Sequence, residues 1–97
     1  MTTIEKYRNQ IDQIDKRLLE LLVERFACSV AIGRIKAEHN LSPLQSSRWE
    51  DIISTRKIHG SELGLQDEFI EKLLELIHLE SIRIQDDVIK GPTDVSR

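Results

Sequence analysis

The chain has 97 residues, 39% of them hydrophobic and 32% charged, with a formal net charge of −3. That is one small domain whose core is modest for its surface, and its acidic balance speaks against a general binder of nucleic acid or anionic membrane, which carries an overall basic face. A single cysteine, Cys28, excludes an internal disulfide, and His39, His59 and His78 lack the spacing of a metal site, so chemistry without metal or cofactor is expected.

The opening MTTIEKYRNQ has no apolar run of the signal-peptide kind, and the apolar stretch 18–23 is interrupted by Glu20. No bilayer span is therefore expected, and a reducing cytoplasm is the simplest location. From about residue 3 to residue 39 there is no proline and one glycine, Gly33, while Tyr7, Ile11, Ile14, Leu18, Leu21, Cys28, Ile32 and Ile35 recur three or four apart. This predicts one long amphipathic helix. Segment 40–45, with Ser42 and Pro43, breaks it, because the residue before a proline is pushed out of helical angles. A second helix should start at Ser46 or Ser47, where Ser47 and Glu50 have capping-box spacing, and run to about residue 59, before Gly60. A short loop closed by Gly64 leads to a third helix over about 66–90, with Ile70, Leu73, Leu74, Ile77, Ile84 and Val88 on its apolar side. Residues 1–90 thus make a helical domain, and 91–97 a polar tail that should fray.

A first helix of this length would extend about 55 Å, whereas a compact globule of this size has a radius of gyration of only about 13 Å. The helix overhangs its own domain and its apolar stripe continues along the overhang. A second copy packed by symmetry covers that stripe best, so an intimate all-α homodimer is expected.

Several polar residues stand on these apolar rows. Arg25 takes a place on the first-helix seam where a leucine would fit the pattern. Its stem can pack while its head reaches water, or the seam opens there into a pocket. Lys36, eleven residues on and roughly 16 Å away on nearly the same face, could meet the same ligand. Alone it would read as a solvated lysine at a helix end. Ser81 and Gln85 continue the row Ile70, Leu74, Ile77, and a polar pair in a core row requires a polar cavity or a partner. Arg8 lies about 25 Å from Arg25 along the axis and reaches the same ligand only across a dimer, and Arg48 opens the second helix. Cations and hydrogen-bond donors with no nucleophile or acid/base pair suit a small dianion, and catalysis by holding its shape and stabilising developing charge.

In order along the chain, YRNQIDQIDKRLLELLVERFACSVAIGRIK, SPLQSSRWEDI and LIHLESIRIQ resemble the all-helical class of chorismate mutases over about residues 4–90. The resemblance implies an interlocked dimer of three-helix protomers that rearranges chorismate to prephenate, on the shikimate route to phenylalanine and tyrosine. It implies that Lys36 and Gln85 face the ether oxygen, that Arg25 and Ser81 bind carboxylate, that Arg8 comes from the other protomer, and that Arg48 binds substrate. The family commonly has acidic residues where this chain has Gln45 and Trp49. Gln45 could still bond the ring hydroxyl and the Trp49 indole could donate to it, although Trp49 reads more readily as a packing residue. Similar choices at these two positions occur in mutase domains fused to DAHP synthase, which brings in that enzyme, or another of the pathway, as a partner. Alternative readings are an isochorismate pyruvate lyase on the same scaffold, a non-catalytic metabolite-sensing dimer, and a plain coiled-coil scaffold.

Overall fold

A computed structural model describes residues 2–91 as three helices: α1 (Thr3–Glu38), α2 (Ser46–Glu62) and α3 (Asp67–Lys90). The expected all-α class and helix order hold. The tail assigned to 91–97 lies outside the described residues beyond Gly91. Both ends of α1 have local causes. Thr2 caps α1, its Oγ1 accepting from the Glu5 amide at 3.1 Å. At the other end Asn40 takes φ 56°, and the Leu41 amide reaches back to the Lys36 carbonyl at 2.8 Å while the Asn40 amide bonds Ala37. This is a Schellman closure, and it turns the chain back along α1.

α2 departs from expectation at both ends. Its N-cap is Gln45, with no side-chain cap bond, and Ser47 lies inside the helix, so the Ser47–Glu50 capping box does not form. Gly60 does not end it either. The helix continues to Glu62 and closes at Gly64, φ 96°, in a second Schellman turn in which the Leu65 amide bonds the Gly60 carbonyl at 2.9 Å. Gly60 is buried under Ile70 of α3, whose side chain occupies the place a Cβ would take. Glycine costs about 1 kcal/mol inside a helix, and here that permits close helix contact. Gln66 caps α3 rather than starting it, and Asp67 and Glu68 complement the helix dipole in the first turn.

The packed residues are few. α3 packs against both α1 and α2, and α1 and α2 do not pack on each other. Ile52 and Ile70 are the buried hydrophobic residues. On α1 the buried positions are Ser29, Gly33 and Lys36, while Tyr7, Ile11, Ile14, Leu18 and Leu21 are each more than half exposed. The apolar seam read from Leu18 is therefore open within one protomer, and the face that meets α3 is small and polar. Gly33 allows this approach, since an added Cβ would stand 3.1 Å from both Gln85 Cα and Val88 Cβ. The molecule is 54 Å long and 16 Å thin, with a radius of gyration of 17.3 Å, well above the value of about 13 Å for a compact chain of this size. Among the described residues no helix is long and apolar enough to cross a membrane.

Candidate functional site

Where α1 and α3 meet above α2, a cavity of about 450 Å³ opens. The C-terminal half of α1 brings Arg25, Ser29 and Lys36 to it, α3 brings His78, Ser81 and Gln85, and α2 brings Arg48, Ile52 and Arg56. Pro43 and Gln45 from the α1–α2 connection close one side.

Two polar clusters organise the wall. In the first, Arg25 Nη1 donates to Ser81 Oγ at 2.9 Å, and Ser81 Oγ is 2.8 Å from Ser29 Oγ. The guanidinium thereby spends one of its five N–H groups on a neutral hydroxyl and leaves the others for a ligand. In the second, Lys36 Nζ donates to Gln85 Oε1 at 2.7 Å and to the Pro43 carbonyl at 2.6 Å. Lys36 is 9% exposed and Gln85 6%. Two of the three ammonium donors are used, so one remains; the amide oxygen of Gln85 is occupied, which leaves its N–H donors to face the cavity. Both clusters thus present donors and no competing acceptor.

The electrostatics are one-sided. Arg25, Lys36, Arg48 and Arg56 line the cavity, and among the described residues no carboxylate does. Burial, and then the nearby Arg56 and Arg48, hold the Arg25 guanidinium below its ordinary pKa. Lys36 is lowered by burial, and His78 by burial followed by the charges of Arg25 and Lys36. Each shift has the sign expected of a cation kept from water without an anion. No group of three or more histidine, cysteine or acidic side chains among the described residues could hold a metal ion.

Of the residues singled out in the sequence, Arg25, Lys36, Gln45, Arg48, Ser81 and Gln85 meet at this cavity. Arg8 does not: it is exposed near the far end of α1. Trp49 does not line the cavity either. Its ring stacks on that of His78 with centroids 4.2 Å apart and an interplanar angle of 24°, and His78 does line the wall. Sequence reasoning missed Ser29, Arg56 and His78, although spacing held a signal for each. Ser29 is four residues past Arg25, His78 is three before Ser81, and Arg56 follows Arg48 and Ile52 in a row of residues four apart.

The chain is similar to several known proteins. The "T-protein" of Enterobacter agglomerans is 30% identical over 80 residues, covering 82% of this chain and 21% of that protein. The "Bifunctional chorismate mutase/prephenate dehydratase" of Buchnera aphidicola subsp. Acyrthosiphon pisum is 30% identical over 84 residues, 87% of this chain and 22% of that protein. The chain thus spans about a fifth of the length of these relatives. The "4-amino-4-deoxychorismate mutase" of Streptomyces venezuelae is similar over most of both lengths, 26% identical across 89% of this chain and 84% of that protein. The chorismate mutase type II family matches residues 7–86, a span that holds every residue of the cavity wall, and the chain belongs to that family.

Proposed function

We propose that the chain is a chorismate mutase that converts chorismate to prephenate in phenylalanine and tyrosine biosynthesis, with residues 1–90 as the mutase unit. The observation that carries this reading is the buried Lys36–Gln85 pair, 2.7 Å apart, set beside Arg25 in a cavity without carboxylates. In a Claisen rearrangement the ether C–O bond breaks as a C–C bond forms within one molecule, and negative charge grows on the ether oxygen. The free ammonium hydrogen of Lys36 and the N–H donors of Gln85 would meet that charge, each such preorganised donor contributing about 3–4 kcal/mol in comparable oxyanion sites. Arg25 and Ser81 would hold one carboxylate, and Arg48 would bind the other side of the substrate, keeping the enolpyruvyl arm folded over the ring. Gln45, on the cavity wall, would bond the ring hydroxyl. No proton need be moved.

Arg8 completes the site from a second protomer in this reading, and the open apolar row of α1 is what that protomer covers. The protein would act in the cytoplasm, where its substrate is made. DAHP synthase or another enzyme of the shikimate pathway is the partner this reading favours; the relative named as a chorismate mutase joined to a prephenate dehydratase supports association with another enzyme, though not with DAHP synthase in particular.

The test is to supply chorismate and, separately, isochorismate to the purified protein and identify the products. Prephenate formation that falls by about 10²–10³-fold in Lys36→Ala supports the proposal. Release of pyruvate from isochorismate with little prephenate from chorismate would make it a lyase, and no turnover of either would reduce the cavity to a binding site.

A further inference from the structure

Arg25, Lys36 and Arg48 have roles in the proposed reaction, and Arg56 has none. It nonetheless lines the cavity from α2, one place beyond Arg48 and Ile52 in the same row. Arg48 is held by Asp51 at 3.2 Å, outside the lining. Arg56 pairs with no acidic side chain among the described residues; its Nη1 donates to the neutral Thr55 Oγ1 at 3.0 Å. Together with Arg48 it also depresses the pKa of Arg25, so its charge is felt across the cavity. Like charges gathered without an anion oppose one another. A dianionic substrate offsets two of the four cations, and a positive field remains around its ring.

We propose that Arg56 is a specificity-determining residue that makes the cavity select a ring bearing an uncharged hydroxyl and reject the same ring bearing an ammonium group. This rests on the reading of the site as a mutase. A ring ammonium would find no carboxylate on the wall, whereas a hydroxyl is indifferent to the field and can bond Gln45. The amine in the substrate for which the Streptomyces venezuelae relative is named provides the probe.

The experiment measures kcat/KM of the full chain for chorismate and for 4-amino-4-deoxychorismate, in the unmodified protein, Arg56→Leu and Arg56→Lys. The unmodified protein should favour chorismate by roughly tenfold or more, Arg56→Leu should narrow the ratio by about threefold or more, and Arg56→Lys should keep it. General loosening of the fold would weaken both substrates together and leave the ratio in place. Equal turnover, preference for the amine, or an unchanged ratio in Arg56→Leu would overturn the inference while leaving the mutase reading intact. If neither compound is rearranged, the mutase reading fails, and discrimination is then read as binding through the fluorescence of Trp49, the single tryptophan. Tighter binding of chorismate that narrows in Arg56→Leu supports the role of Arg56; equal binding, or binding of neither, overturns it.

Discussion

Lys36 is held by two acceptors inside the protein, and burial makes its ammonium easier to lose than that of a free lysine. A base whose folded pKa is depressed binds fewer protons in the folded state than in the unfolded state over the interval between the two values. The fold is therefore relieved as pH rises through that interval, but the proposed catalysis is lost, because neutral Lys36 no longer offers a cation to the ether oxygen. The pH profile of kcat/KM should fall on the alkaline side before pH 10.5, the ordinary lysine value. Gln85→Glu should add a second loss in the same direction at lower pH: its carboxyl can donate only when protonated, so activity should shift toward acid pH. A profile unchanged by Gln85→Glu would remove Gln85 from the ether oxygen. Six of the seven proposed contact residues, all but Arg8, come together at one cavity; Arg25, Lys36, Ser81 and Gln85 were legible because they conflict with the apolar rows that carry them, whereas Arg48 was marked only by its place at the start of the second helix and Gln45 by the family resemblance. Ser29, His78 and Arg56 were overlooked, since a small hydroxyl, a half-buried ring and an exposed arginine share the helical spacing of the site residues without conflicting with an apolar row.

The helices themselves were legible from period and proline, and their ends were not. Gly60 reads as a stop until Ile70 is known to press on it, a contact ten residues away that no local signal carries. Ser47 has the right spacing for a cap, but Gln45 takes the position and bonds nothing with its side chain. Gly33 links packing to the site, because it sets the distance between α1 and the stretch of α3 that bears Gln85. Gly33→Ala should place its methyl 3.1 Å from Gln85 Cα and Val88 Cβ, so that α3 must yield by a few tenths of an ångström at a cost of about 1–3 kcal/mol, against which alanine recovers about 1 kcal/mol of helix propensity. A thermal melt should show a lower Tm, and mutase turnover should fall further than the fraction of folded protein does, since the Lys36–Gln85 pair opens. Turnover that only tracks the folded fraction would mean that Gly33 does not set the spacing of the Lys36–Gln85 pair.

At the scale of the whole molecule, the single chain leaves its longest helix largely uncovered. Its longest helix carries Ile4, Tyr7, Ile11, Ile14, Leu18 and Leu21 more than half exposed, an open stripe larger than soluble monomers ordinarily show, and Arg8 lies on that same overhang, away from the cavity. The length and apolar stripe of α1 foretold the overhang. The packing partner lies beyond what one chain's sequence specifies directly, because the same stripe could accept a different protein. The proposed answer, a second copy delivering Arg8, joins the apolar stripe and the catalytic cavity into one account.

That account is tested most directly by co-refolding two inactive variants, Arg8→Ala and Lys36→Ala, and following conversion of chorismate to prephenate. In a mixed dimer one of the two sites receives an intact Arg8 from one chain and an intact Lys36 from the other. Random pairing should therefore restore about a quarter of the unmodified rate, although each variant alone is nearly silent. If both variants fold and pair but the mixture stays as inactive as its parents, Arg8 does not cross between protomers and the two-chain site is wrong.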